Sequence, residues 1–316
     1  MKWYPQRGLH SQILYNHLVG LTDVFSSHAK VISRGYGGLV IDNQDGTVSK
    51  AYFRHNRIRV YKDDVSYMGA EERALRFFEK HKMDEVCVPR IVDEPVYFEG
   101  DKKNPFFQGI LRISKLKGYA GEWQGIQGRL SAEELSSHME QAGRVLAEFH
   151  RVTQDAPREN IFAVKPWDEN FTLTSGYFQD EENNELASAD KVIRDSFTSR
   201  FVHGDFAGRN LMVSENGNIT GLIDFAFSSF GHNLTQDFRG VYYDNPELLP
   251  ALVQSYNRHS SGVQVTQEHV DLQLLMDHVG FMIGMKKNPH LSEEKWQDSY
   301  KRLQNFLDGL SSRQII

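Results

Sequence analysis

Residues 200–229 read RFVHGDFAGRNLMVSENGNITGLIDFAFSS, and this stretch leaves the chain few ways to fold. Two apolar runs, Leu-Met-Val-Ser and Ile-Thr-Gly-Leu-Ile, flank Asn216-Gly217. That pair is favoured at the centre of a tight hairpin turn because both residues tolerate positive φ. Asn210 lies seven residues before Gly217, and Asp224 seven after it. Pairing across the turn would bring Asn210 and Asp224 together at the open end of the hairpin. An amide oxygen beside a carboxylate makes a pair of hard ligands suited to Mg²⁺. Asp205 precedes the hairpin in a loop entered from Phe201-Val202 and reaches the same space. A carboxylate beside a metal–phosphate site is placed to take a proton from an attacking hydroxyl. His203 reads as a residue that packs and hydrogen-bonds this loop.

The first third of the chain predicts strands and one helix. Asn43-Gln44-Asp45-Gly46-Thr47 is a hairpin turn between Leu39-Val40-Ile41 and Val48–Phe53. Met68, Glu71, Leu75 and Phe78 follow one helical stripe, so Glu71 faces inward and Glu72 outward. A carboxylate on a buried face needs a cation, because burying it alone costs several kcal/mol. Farther on, Ser131 and Glu134 form a capping box, and Leu135, Met139, Ala142, Leu146 and Phe149 make the apolar stripe of the helix it opens. The polar run 179–185 is expected as a loop or the tip of a helix hairpin. From about residue 245 the pattern is helical. Strands first and helices later, joined by one crossing, imply an α+β protein of two lobes with a cleft between them.

Composition narrows the classes. The 316 residues carry a formal charge of −6, which gives no sign of a nucleic-acid surface, and the basic stretch Arg54–Lys62 reads as a solvated strand face. No apolar run reaches the ~20 residues that span a bilayer, and the N-terminus lacks a signal-peptide core. A cytoplasmic protein is the expectation. The single cysteine, Cys87, stands in an apolar context and is expected to be buried. The thirteen histidines show no zinc-site spacing.

His203-Gly204-Asp205 with Asn210, followed by Ile223-Asp224-Phe225, resembles the catalytic core of the aminoglycoside phosphotransferase and choline kinase families, which share the protein-kinase-like fold. The resemblance implies a small β-rich N-lobe (1–112), a hinge (113–118) and a larger, mostly helical C-lobe (119–316). It implies Asp205 as catalytic base, Asn210 and Asp224 as Mg²⁺ ligands, Asp237 as a structural carboxylate, and the segment 151–199 as part of an acceptor site. On the same resemblance, residues 34–53 look like a phosphate-covering hairpin, with Gly35, Gly37 and Gly38 letting the backbone approach phosphates. Lys50 would then bind the α- and β-phosphates and pair with Glu71. Arg59 or Lys62 in Asn56–Lys62 is the alternative. Lys50 is favoured because Asp45-Gly46-Thr47 directly precedes its strand, and because an arginine is the less usual ATP-binding residue. The hinge would hold the adenine edge through backbone groups of about Ile113 to Leu116, Lys115 included.

Two positions depart from the pattern. Ala226 stands where many relatives have an acidic residue, and Ala207 where protein kinases have a phosphate-contacting lysine; Arg209 is the nearest cation to take that role. The expected activity is transfer of the γ-phosphate of ATP (or GTP), with Mg²⁺, to a hydroxyl of a small molecule of the aminoglycoside, amino alcohol or sugar class. An atypical protein kinase and a nucleotide-binding pseudokinase acting as an interaction module are the alternatives.

Overall fold

The computed structural model of the chain describes residues 7–23, 25, 28–34, 37–54, 67–98, 106–120, 131–154, 178, 180–197, 200–231, 234–286 and 293–312. The Asn43–Thr47 turn forms as its residues dictate. Gln44 and Gly46 take positive φ, 61° and 84°, and Asn43 N–H donates to Thr47 O at 3.1 Å. Asp45 Oδ1 accepts from Thr47 N–H at 3.0 Å and from its hydroxyl at 2.6 Å, closing the loop from inside. The turn joins β2 (Gly38–Asp42) to β3 (Thr47–Phe53). With β1 (Lys30–Arg34), β4 (Val96–Tyr97) and β5 (Phe107–Ser114) they build an antiparallel sheet in the order β1-β2-β3-β5-β4.

Alternation along the strands gives the sheet two apolar faces. One carries Leu39, Ile41, Ala51, Phe107 and Ile110 and packs with Leu18 of helix α1 (Arg7–Val19) as a small separate core. Tyr52, Leu111 and Ile113 belong instead to the main core, together with Met68, Leu75 and Phe78 of α2 (Tyr67–Lys80). As the stripe predicts, Glu71 is fully buried, while Glu72 points away from it, half-buried, pairing with Arg76 at 2.9 Å and accepting from Tyr97 OH.

The main core continues through the helical lobe. A short strand β6 (Tyr119–Ala120) precedes α3 (Ala132–Val152), whose Ser131–Glu134 capping box is complete. Then follow α4 (Asp180–Ser196), β7 (Arg200–Val202), β8 (Leu211–Val213), β9 (Ile219–Leu222), β10 (Ser229–Gly231), α5 (Arg239–Asp244), α6 (Leu249–His259), α7 (Gln267–Lys286) and α8 (Glu293–Ser312). α3 and α6 cross closely at Gly143, where any Cβ would fall 2.4 Å from the side chain of Ser255. Among the described residues no helix is long and apolar enough to cross a membrane.

Two expectations are corrected. The polar run is neither loop nor tip from residue 180 onward: it opens α4. Acidic residues are favourable at a helix N-terminus, and Leu186, Ala189 and Ile193 anchor the helix in the main core. Glu182 is buried there and accepts from Tyr300 OH at 2.6 Å. Cys87 is exposed, not buried. It lies in the link after α2, where Met83, Val86 and Pro89 face inward and Cys87 outward.

That link ties the lobes together. Glu148 of α3 accepts the N–H groups of Asp84 and Glu85 at 2.7 and 2.9 Å. Cys87 N–H then donates to Thr220 O, and Leu222 N–H to Cys87 O, both at 3.0 Å. Replacing Glu148 by Ala strands two backbone donors, which costs about 1–3 kcal/mol. The expected result is a melting temperature lower by several degrees and faster amide exchange at Asp84 and Glu85. Unchanged exchange at those two amides would refute the tether.

Candidate active site

The hairpin β8–β9 forms with a different turn from the one expected. Ser214 N–H donates to Asn218 O at 2.9 Å, Gly217 N–H donates to Ser214 O at 3.0 Å, and Gly217 has φ +79°. The loop is therefore three residues, Glu215-Asn216-Gly217, with glycine at the left-handed position, rather than a two-residue Asn-Gly turn. α3 holds this loop: His138 Nδ1 donates to Gly217 O at 3.0 Å, and Gln141 Oε1 accepts from Ile219 N–H at 3.0 Å. The register moves accordingly. Leu211 faces Leu222, and Asn210 O accepts from Ile223 N–H at 2.9 Å, so Asn210 and Asp224 are not cross-strand partners. Asp224 stands one residue beyond the ladder in a left-handed conformation, φ 66°. Such backbone costs about 1–2 kcal/mol for a residue with a Cβ. Phe225 next to it is fully buried among Phe78, Phe149 and His203, which fixes the bend.

Lys50 meets this segment from the sheet. Its ammonium donates to Glu71 Oε1 and Oε2 at 2.8 and 2.6 Å, and to Asp224 Oδ1 at 2.8 Å. Burial works against the charge on Lys50, but Asp224 and Glu71 outweigh it and drive its pKa up. Burial pushes the Glu71 pKa up, against the pull of Lys50. At Asp224 burial acts in the same sense, but Lys50 prevails and the pKa falls. Tyr52 adds a hydroxyl that donates to Glu71 Oε2. Tyr67 and Phe227 pack ring to ring at 4.8 Å, joining the first turn of α2 to the segment after Asp224.

The loop 203–210 is fixed by a second buried carboxylate. Asp237 Oδ2 accepts from His203 N–H at 2.9 Å and Oδ1 from Gly204 N–H at 2.7 Å. His150 donates from Nε2 to Asp237 Oδ2 and accepts from Tyr256 OH at Nδ1, both at 3.0 Å. His203 donates from Nε2 to Ile223 O at 3.0 Å and accepts from Asp205 N–H at Nδ1, so it joins the loop to the hairpin. Gly204 has φ +77°, and a Cβ there would lie 2.1 Å from Phe227 O. Arg239, held by Asp277, donates to Gly204 O at 2.6 Å. Asp205 does not stand free: Arg209 pairs with its Oδ1, and Asn210 Nδ2 donates to its Oδ2 at 2.9 Å. Ala207 is buried beneath Gly240, where a Cβ would lie 3.0 Å from the Ala207 Cβ; a lysine at 207 has no room.

Gly37, Gly38, Lys50, Glu71, Ile113, Lys115, Asp205, Arg209, Asn210 and Asp224 all line one cleft of about 830 Å³, large enough for a nucleotide-sized ligand. Gly35, Arg59 and Lys62 lie outside the described residues. Gly38 is needed for packing, since a Cβ would fall 2.1 Å from Ala51 O, whereas Gly37 faces open space. Lys115 N–H donates to Gly46 O at 2.9 Å, Ser114 N–H to Arg90 O at 2.8 Å, and the Lys115 ammonium to Asp42 at 2.6 Å. Sequence reasoning missed Tyr52, His150, Arg239 and Asp277. His150 sits four residues after Leu146, on the stripe that placed Phe149, and could have been found by the argument used for Glu71. Arg239 and Asp277 carry no local signal.

Residues 28–268 match the sequence model of APH, described as the phosphotransferase enzyme family. The chain belongs to that family. Among curated protein sequences none matches it. Solved structures share its protein-kinase-like fold. The microcompartment-associated aminopropanol kinase superposes with a TM-score of 0.63 at 13% identity, over 96% of this chain and 98% of that one. APH(2″)-IIa in a ternary complex with streptomycin and ATP gives 0.59 at 16%, over 93% and 95%. The macrolide 2′-phosphotransferase from Brachybacterium faecium gives 0.55 at 15%, over 87% and 91%.

Burial holds the pKa of both His138 and His150 below the ordinary imidazole value of 6.5. The unfolded chain therefore binds protons below about pH 6.5 that the folded protein does not, so stability falls as the pH drops through that range. Urea unfolding at pH 7.5 and 5.5 should show the loss, and His150→Gln should flatten it; an equal slope in the variant would contradict this account.

Proposed function

We propose that this phosphotransferase transfers the γ-phosphate of a nucleoside triphosphate to a hydroxyl of a small molecule, with Asp205 as the base. The observation that carries the reading is the Lys50 ammonium joining Glu71 to Asp224, residues 174 apart in the case of Lys50 and Asp224, in the cleft that also holds Asp205. Lys50 would meet the α- and β-phosphates. Glu71 keeps it charged and aimed.

The donor set fits Mg²⁺. Asn210 Nδ2 is committed to Asp205, leaving Oδ1 as the ligand atom of the amide, and Asp224 offers a carboxylate kept ionised by Lys50. Among the described residues no group of three or more His, Cys, Asp or Glu gathers as a metal site. Two protein oxygens suit an ion that keeps waters and takes phosphate oxygens as further ligands. When bound, the ion would neutralise phosphate charge. Asp205 would accept a hydrogen bond from the acceptor hydroxyl and then its proton, while Arg209 and Asn210 hold the carboxylate in place. The Ser114 and Lys115 N–H groups are already bonded within the protein, so an adenine or guanine edge would be met by other backbone groups of the hinge 113–118. Positioning and charge neutralisation supply most of the rate in chemistry of this kind.

Aminoglycosides, amino alcohols and sugars form the panel for the acceptor, tested with ATP and GTP. Asp205→Asn should lower transfer at least 10³-fold, an order-of-magnitude expectation for loss of the base together with its placement, while nucleotide binding stays within about twofold. Retained turnover would remove Asp205 from this role. Arg209 is the cation nearest in sequence to Ala207, and it lines the cleft. Arg209→Ala should lower kcat by about tenfold or more and leave the KM for ATP nearly unchanged; an unchanged kcat would leave Arg209 only its structural pairing with Asp205.

A further inference from the structure

The three N–H bonds of the Lys50 ammonium are all in use: two go to Glu71 and one to Asp224. A lysine that also serves phosphates has to give some of these up. Asp224 is about a third exposed to the cleft, so an oxygen released there meets water or an incoming cation. Glu71 has no such recourse, because its side chain is fully buried. An oxygen that Lys50 abandoned on Glu71 would stay unpaired, and that penalty would oppose nucleotide capture.

Tyr52 removes the penalty. It follows Lys50 by two residues on β3, so both side chains leave the same face of the sheet. Its ring is 3% exposed, with its centroid 5.8 Å from the Lys50 ammonium, and its hydroxyl donates to the Glu71 oxygen nearer Lys50, Oε2. Among the described residues, the side chains that donate to Glu71 are Lys50 and Tyr52. We propose that Tyr52 is a positioning residue for nucleotide capture: its hydroxyl keeps Glu71 Oε2 paired, so that Lys50 can release that oxygen and turn an N–H toward phosphate. The inference rests on reading Lys50 as the phosphate-binding cation.

The test measures calorimetric affinity for a non-hydrolysable ATP analogue with Mg²⁺, alongside steady-state kinetics, in the full-length chain. Tyr52→Phe, which keeps the ring, should weaken the analogue about tenfold and raise the KM for ATP similarly, with kcat within about twofold. In a Glu71→Gln background the same substitution should have no further effect on affinity, because the amide no longer presents a buried carboxylate oxygen. Equal losses in both backgrounds would mean that the hydroxyl acts only through packing and would overturn the proposal. A lower melting temperature with wild-type affinity would do the same. Lys50→Met separates the two levels. If it loses affinity while Tyr52→Phe does not, the role of Tyr52 fails and the reading of Lys50 stands. If Lys50→Met binds the analogue as the wild type does, the reading of Lys50 fails and the proposal for Tyr52 with it.

Discussion

Two carboxylates share one ammonium at the centre of this protein. Glu71 needs Lys50, since a fully buried carboxylate without a cation is among the costliest arrangements a fold can contain, and Lys50 also holds the partly exposed carboxylate of Asp224 in place. Lys50 is brought by the sheet, Glu71 by α2, and Asp224 by the bend after β9. None of the three elements can shift without leaving a charge unmatched. The aromatic contacts follow from this: Tyr67 on Phe227 and Phe78 on Phe225 hold α2 against the bend at both ends of the helix. The left-handed backbone at Asp224 persists because Phe225 is clamped on one side and Lys50 holds the carboxylate on the other.

Asp237 organises a second centre by different means. It accepts two backbone N–H groups and one imidazole N–H, so its charge is met by oriented dipoles rather than by a formal cation. Both of its backbone partners belong to the two residues just before Asp205. The aim of Asp205 is thus set from behind, by α3 through His150 and by α7 through Asp277 and Arg239. Ala207 fits the same design. Gly240 packs on this loop so closely that position 207 is sealed inside the protein, and the cations that line the cleft on this side are Arg209 and Arg239.

Much of this was legible in the sequence. Glu71 could be placed on a buried face from three apolar neighbours, and that face called for a cation; the family resemblance named Lys50 as the partner, and the structure places it there. The hairpin was legible from its flanking runs, but its register was not. Asn-Gly serves at the centre of a two-residue turn and also at the end of a three-residue one, and the choice is made by His138 and Gln141, about 80 residues away by the separations of their contacts. Cys87 was misread because apolar neighbours in an extended link do not say which side a residue takes. The Arg239–Asp277 pair joins two helices and leaves no periodic trace in either.

The shared core of α2 also governs how the chain can come into being. During synthesis the sheet and α1 can close early, because Leu18, Leu39, Ile41, Ala51, Phe107 and Ile110 make a small core of their own. α2 can settle only in part at that stage: Met68 packs against Gly109 of the sheet, and Lys50 and Tyr52 are there to meet Glu71. Phe149 and Phe225, which cover Phe78, and Phe227, which meets Tyr67, are translated much later. Until then the nascent protein carries a partly uncovered apolar helix face, the kind of surface that chaperones hold and that aggregates if left alone. A ribosome-bound chain ending before Phe227 should therefore bear a folded sheet and a partly settled α2, and the cleft is finished only when the second half of the molecule arrives to receive it.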